Sequence, residues 1–113
     1  MFDPTFVDHL NTFLDQYPGS VTRLCSTVAH NKAVGGAPNS GHLAPCVAAD
    51  LVYDTAEQLQ AAAKGAFQAG FMGIEVDLTN NHLHLDEKPR LWRVVHRGPG
   101  QDTPLDQWLT AEV

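Results

Sequence analysis

Two segments of the chain carry apolar residues at the spacing of an amphipathic helix. In the first, Asp3 is a possible N-cap, Pro4 occupies the first helical position, and the segment ends before Pro18. Its apolar positions recur on one helical face and are Phe6, Val7, Leu10, Phe13 and Leu14. In the second, the sequence TAEQ at residues 55–58 forms a capping box before an alanine-rich stretch that stops at Gly70. These patterns predict two main helices.

Shorter segments rich in apolar and β-branched residues predict strands at residues 20–27, 47–53, 71–78, 82–87 and 91–96. The sequence TNN at residues 79–81 separates the third of these from the fourth. Asparagine tolerates the left-handed backbone that a tight turn requires. We therefore expect residues 71–87 to form a β-hairpin.

The connection between the first two predicted strands is unusually long. Residues 29–45 are rich in Gly, Pro, Asn and Ser, and a loop of this length in a small domain is uncommon unless it is functional or disordered. No internal repeat and no second domain is evident in the sequence. We expect one domain over residues 1–113, with a core at about 20–96 and a polar C-terminal tail at 98–113.

Composition and charge exclude several classes of protein. The 113 residues carry a formal charge of −6 and no basic run, which argues against nucleic-acid binding. The chain lacks the basic start of a secretory signal and any run of about 18 apolar residues. We expect a protein without signal peptide or membrane insertion that is made in the cytoplasm. Cys25 and Cys46 could pair in an oxidising compartment, but in the cytoplasm we expect two buried free thiols.

Chemistry-bearing residues concentrate on one predicted strand. His82, His84 and Asp86 alternate along it, so a period of two puts all three on one face. If the hairpin turn is centred on residues 80 and 81, Asp77 lies opposite His84 and Glu75 opposite Asp86, which adds both acids to that face. Two histidines and one carboxylate are a common ligand set for catalytic zinc.

His42 in the long loop, Asp50 in an otherwise apolar strand and His84 would supply such a ligand set. Each also has an ordinary structural interpretation. Asp50 would then be a buried acid with satisfied hydrogen bonds, the histidines would face solvent from a strand surface, and the loop would be a plain surface connection.

The order of short motifs resembles the signature of a known family. Residues 30–43 have the sequence HNKAVGGAPNSGHL, residues 48–51 have AADL, and residues 84–92 have HLDEKPRLW. This series resembles the M15-type zinc peptidases, the D-Ala-D-Ala carboxypeptidase-like enzymes of bacteria and phages, whose wider group includes the hedgehog signalling domain and lysostaphin-like endopeptidases. The resemblance extends over residues 20–92 and implies an α+β fold with a small antiparallel sheet and two main helices.

Residue by residue, the resemblance implies a Zn²⁺ site and a substrate-binding site. His42, Asp50 and His84 match the metal ligands. Ser40 matches the polar residue before the first ligand, and Trp92 the aromatic residue near the site. The arginine that often holds substrate in this family would align near Ser26, so we take nearby Arg23 as the candidate, which makes the substrate-binding set Ser40, Arg23 and Trp92.

The chain departs from the family pattern at two places. The interval from His42 to Asp50 is one residue longer than usual and lacks a glycine. Many members have an acidic general base three residues before the last ligand, where this chain has Asn81, which cannot accept a proton. Glu75, Asp77 and His82 are the remaining candidates for the catalytic proton transfer.

The resemblance implies a hydrolase, a zinc metallopeptidase that cleaves peptide bonds of peptidoglycan stem peptides or cross-links. Such a protein would be a monomer acting on the cell wall after delivery by a phage or particle, as an endolysin does. The departure at Asn81 keeps open an alternative, a catalytically impaired zinc-bearing domain that binds a wall peptide or a protein partner. A structural domain without metal is the third interpretation.

Overall fold

A computed structural model describes residues 3–24 and 46–112. Its first helix, α1 (Pro4–Gln16), begins as the sequence predicts. The Asp3 side chain accepts a hydrogen bond from the Phe6 backbone N–H at 3.0 Å, which satisfies one of the free donors of the first turn. Phe6, Leu10 and Phe13 are buried on its inner face.

The second helix, α2 (Ala56–Ala69), confirms the predicted capping box and stop. The Thr55 hydroxyl accepts from the Gln58 backbone, and the Gln58 side chain accepts from the Thr55 backbone. Gly70 ends the helix with a φ of 83°, a backbone conformation that glycine adopts without steric cost.

These helices pack on a six-stranded sheet, and the fold is α+β. The strands have the order β1-β2-β4-β3-β5-β6, and they are β1 (Ser20–Arg23), β2 (Ala48–Val52), β3 (Gly73–Asp77), β4 (His82–Asp86), β5 (Trp92–His96) and β6 (Asp102–Pro104). The sheet is mixed rather than wholly antiparallel as expected, because β5 runs parallel to β3. Asp86 and Trp92 pair with the two sides of Gly73, so residues 87–91 carry the chain across the start of β3 and reverse its direction.

The predicted β-hairpin is present, but the predicted register is wrong by two residues. Asp77 pairs with His82 and Glu75 with His84, and the turn contains the four residues 78–81. The Asp77 carboxylate accepts from the Thr79 backbone N–H at 2.9 Å and so starts the turn early, while Asn81 adopts a φ of 54°. A shift of two leaves every side chain on its predicted face.

The core lies between one face of the sheet and the helices. Apolar residues of β2 to β5 form one cluster with α1 and α2; they include Leu51, Ile74, Val76, Leu83, Leu85 and Val95. The segment expected to be a polar tail contains β6 and a third helix, α3 (Leu105–Glu112), whose Leu105, Trp108 and Leu109 join this cluster. It is therefore part of the folded unit, since these three side chains bury apolar surface.

Two further expectations concern single features. Cys46 is fully buried and disulfide-bonded, so the expectation of a free thiol is wrong for this residue. Cys25 lies outside the described residues. Among the helices that the structure describes, none has both the length and the apolar character that a membrane span requires.

Candidate metal centre

The face of the sheet opposite the helices carries the polar residues of the predicted site. Alternation along the strands sends leucines 83 and 85 into the core and the histidines of β4 to the other face. The register then forms rows across the strands. One row contains Asp50, His84 and Glu75, and the next contains His82, Asp77 and His96.

Asp50 and His84 form the centre of this face. The Nδ1 atom of His84 lies 2.9 Å from Oδ1 of Asp50, and the Nε2 atom of His82 lies 3.6 Å from the same oxygen. The side chains of Asp50, His84 and His82 are 13%, 18% and 26% exposed. Two imidazole nitrogens therefore lie close to one carboxylate oxygen on a partly exposed region of this face.

Asp86 contacts the ring nitrogen of His84 that does not face Asp50. Its carboxylate, which is fully buried, accepts a hydrogen bond from Nε2 of His84 at 2.7 Å and two from the Arg90 guanidinium at 2.7 and 2.9 Å. The Lys88 backbone N–H donates a fourth at 3.1 Å. A buried carboxylate with this many charged and polar partners keeps its negative charge.

The carboxylates on both sides of His84 determine its charge in the absence of a metal. Burial lowers the pKa of the imidazole, but hydrogen bonds to Asp50 and Asp86 outweigh burial and raise the pKa of His84 to about 9. Burial likewise raises the pKa of Asp86, while its bonds to His84 and Arg90 bring that pKa well below its usual range. The ring between the two carboxylates is therefore an imidazolium at neutral pH.

The donor atoms fit a divalent metal such as zinc, which takes imidazole nitrogen and carboxylate oxygen as ligands. A metal would replace the proton on Nδ1 of His84, because only the deprotonated nitrogen is a ligand. Within residues 3–24 and 46–112, no group of three or more His, Cys, Asp or Glu is arranged to hold an ion. The structure therefore brings two of the three predicted ligands, Asp50 and His84, into contact, but the described residues do not by themselves form a metal site.

The other predicted site residues occupy different positions relative to Asp50 and His84. Glu75 is directly opposite His84, whereas Asp77 is opposite His82 and bonded to Thr79. Arg23 pairs with Asp50 at the irregular end of β1. Trp92 lies beyond Gly73 and is 49% exposed. Ser40 and His42 lie outside the described residues.

Sequence reasoning missed what Arg90 and Gly73 do. Arg90 belongs to the motif, but its position four residues after Asp86 indicates an ion pair only on a helix, and here the pair spans the end of a strand and the connection that follows it. Gly73 pairs with Asp86, and a Cβ atom at this position would overlap the Asp86 carboxylate. No pattern in the sequence indicates that close approach.

A groove of about 490 Å³ lies elsewhere, on the helical side of the sheet. Its lining residues come from α2 and α3 and are Lys64, Phe67, Gln68, Asp106, Leu109 and Thr110. None of the predicted site residues within the described part of the chain lines it. The polar face of the sheet, rather than this groove, is where the candidate chemistry lies.

A comparison with known protein families gives one match. The family model described as Peptidase M15 matches residues 5–86 of the chain, which is more than half of its length. The matched range contains Asp50 and His84, while Arg90 and Trp92 follow it. No curated protein matches the chain.

Proposed function

Because the chain belongs to the peptidase M15 family, we propose that it is a zinc-dependent peptidase acting on bacterial cell-wall peptidoglycan. The observation that carries the proposal is the facing pair of Asp50 and His84, with Nδ1 and Oδ1 2.9 Å apart on an accessible face. An imidazole and a carboxylate at one place on a rigid sheet are two of the three protein ligands of a common catalytic zinc site.

His42 is the third ligand in this proposal, on the basis of the family motif. Two histidines and one carboxylate leave a coordination position for water or substrate. Zinc bound there would polarise the scissile carbonyl and lower the pKa of its water toward about 7. Asp86 would keep Nε2 of His84 protonated, so that Nδ1 is the nitrogen available to the metal.

The proton of the attacking water needs an acceptor other than Asn81. Glu75 is the best placed carboxylate, because it pairs with His84 and lies on the same face. Asp77 is a weaker candidate, since its carboxylate already accepts hydrogen bonds from the backbone and the hydroxyl of Thr79. His82, 3.6 Å from Asp50, would stabilise charge or transfer a proton beside the metal.

The substrate would be a short stem peptide or cross-link of the wall, bound across this face of the sheet. Trp92, which pairs with Gly73 on the side away from Asp86, is exposed and offers an aromatic surface. Ser40 and Arg23 complete the proposed substrate-binding set. We further propose a monomer that reaches the wall through a phage or particle, rather than one that binds nucleic acid or inserts into a membrane.

Turnover of purified muropeptides tests the function. The zinc-loaded full chain should release cleaved peptides, and a chelator should abolish release until zinc is restored. His84→Ala should be inactive, whereas His96→Ala, a matched change on the same face that leaves Asp50 and His84 in place, should remain active. Cleavage that persists with chelator and in His84→Ala would overturn the proposal.

One observation favours a second function, a zinc-bearing domain that binds a wall peptide or protein partner without cleaving it. Asn81 stands where many family members have the general base, and here it adopts a φ of 54° in the turn while its carbonyl accepts from the Tyr53 N–H at 3.0 Å. Stoichiometric zinc without any turnover would favour this function over the peptidase.

A further inference from the structure

The Asp86 carboxylate connects His84 to Arg90, a residue that has no direct contact with Asp50 or His84 among the hydrogen bonds of this site. We propose that Arg90 is a positioning residue for the metal centre: through Asp86 it holds the His84 ring with Nε2–H turned inward and Nδ1 turned toward Asp50. This inference rests on the proposed function, since it concerns the atom that would bind zinc.

The hydrogen-bond acceptor positions of the Asp86 carboxylate are all occupied. A carboxylate has about four acceptor positions, and here four hydrogen bonds fill them. Oδ1 accepts from the Lys88 backbone and from one Arg90 nitrogen, while Oδ2 accepts from the other Arg90 nitrogen and from Nε2 of His84. With Arg90 in place, one acceptor position of Oδ2 remains, and it accepts the hydrogen bond from Nε2–H of His84.

The space around Asp86 depends on the residue paired with it in β3. The carboxylate is fully buried against β3, where the paired residue is Gly73. Any larger residue there would place its Cβ inside the volume that the carboxylate occupies. The backbone of β3 thus leaves room for Asp86 to lie flat between His84 and Arg90.

The planar guanidinium of Arg90 fixes the orientation of the Asp86 carboxylate. Its two terminal nitrogens contact the two Asp86 oxygens separately, at 2.7 and 2.9 Å, a bidentate geometry that fixes the carboxylate plane. A lysine would supply the positive charge but not the pair of N–H donors held in a fixed geometry. Since the Arg90 side chain is 39% exposed, its replacement removes little core packing.

Arg90→Gln and Arg90→Lys test the inference in the full chain. Zinc affinity would be measured by competition with a chelating dye, and the His84 Nε2–H by proton–nitrogen NMR on metal-free and zinc-loaded protein. Loss of an outer partner of a metal-binding histidine costs roughly 10–100-fold in metal affinity. We expect a loss of that order in Arg90→Gln, a smaller one in Arg90→Lys, and a faster-exchanging Nε2–H in both.

Arg93→Gln is the matched control, because Arg93 donates to the Phe71 carbonyl and lies over the Phe67 ring, away from Asp86. It should leave zinc affinity and the His84 resonances unchanged. Unchanged affinity and an unchanged Nε2–H in folded Arg90 variants would overturn the inference. If Arg90→Gln does not fold, Arg90→Lys decides.

The same experiment separates this inference from the proposed function. If the wild-type chain binds no zinc, the proposed function fails, while the Nε2–H of the metal-free protein still reports on Arg90. Its protection in wild type and loss in the variants would support the positioning role. Equal protection in all of them would contradict that role.

Discussion

His84 lies across from Asp50 on two neighbouring antiparallel strands, with Nδ1 of the ring 2.9 Å from Oδ1 of the carboxylate. On the other side of the ring, Nε2 meets the buried carboxylate of Asp86 at 2.7 Å. Both ring nitrogens therefore face acceptors, which a neutral imidazole cannot satisfy at once. In the metal-free protein both ring nitrogens carry a proton, so both acceptors are satisfied. A metal would take the place of the proton on Nδ1.

The first prediction concerns the stability of the metal-free protein as pH changes. Folding raises the pKa of His84 from 6.5 to about 9, so the folded state binds this proton more tightly than the unfolded state. The resulting stabilisation is complete below pH 6.5 and is lost as the pH rises through 9. We expect the free energy of unfolding to fall by on the order of 3 kcal/mol between pH 6 and pH 10.

Urea unfolding of chelator-treated protein at several pH values measures this change. His84→Gln serves as the control, because it removes the titrating ring and should show a much flatter profile over the same range. Parallel profiles for wild type and His84→Gln would contradict the assigned cause.

The second prediction separates the two carboxylates of β3. Glu75→Gln should lower kcat by roughly 10²- to 10⁴-fold, the usual contribution of a positioned general base, while zinc content stays unchanged. Asp77→Asn should keep most of kcat, since Asp77 is engaged with Thr79 in the turn. Its main effect would be a loss of about 1 kcal/mol in stability.

Steady-state kinetics on a muropeptide, with zinc measured in each sample, checks this prediction. A large loss of kcat in Asp77→Asn with full activity in Glu75→Gln would reverse the assignment. Full activity in both would leave His82 as the proton acceptor, which His82→Ala examines directly.

The third prediction concerns the C-terminal helix. Trp108 is 5% exposed within the core cluster, so Trp108→Ala should destabilise the protein by about 3–5 kcal/mol. The neighbouring Gln107 is exposed, and Gln107→Ala should change stability by less than about 0.5 kcal/mol. Chemical denaturation of both variants provides the comparison. Equal stability would mean that α3 contributes no packing energy.

Local signals explain which parts of the fold were predictable. The caps at Asp3, Thr55 and Gly70 depend on hydrogen bonds within a few residues, and the structure confirms each of them. The predicted hairpin register was wrong because the turn depends on a hydrogen bond from the Thr79 backbone to the Asp77 side chain. The alternation of apolar and polar residues does not reveal that bond. The parallel pairing of β5 depends on contacts across β3 and has no local signal.

The site was predictable to a similar extent. Alternation alone puts His82, His84 and Asp86 on one face, and the structure agrees. The pairing of Asp50 with His84 across 34 positions needed the motif resemblance, because nothing in either segment specifies their register. His42 as the third ligand stays a prediction, since it lies outside the described residues.

Metal content tests the central claim most directly. The purified full chain should contain one zinc per molecule by elemental analysis. Asp50→Ala and His84→Ala should each lose it, while His96→Ala, on the same face but bonded to Asp102, should retain it. A wild-type protein without metal, or full zinc occupancy in both ligand variants, would contradict the account.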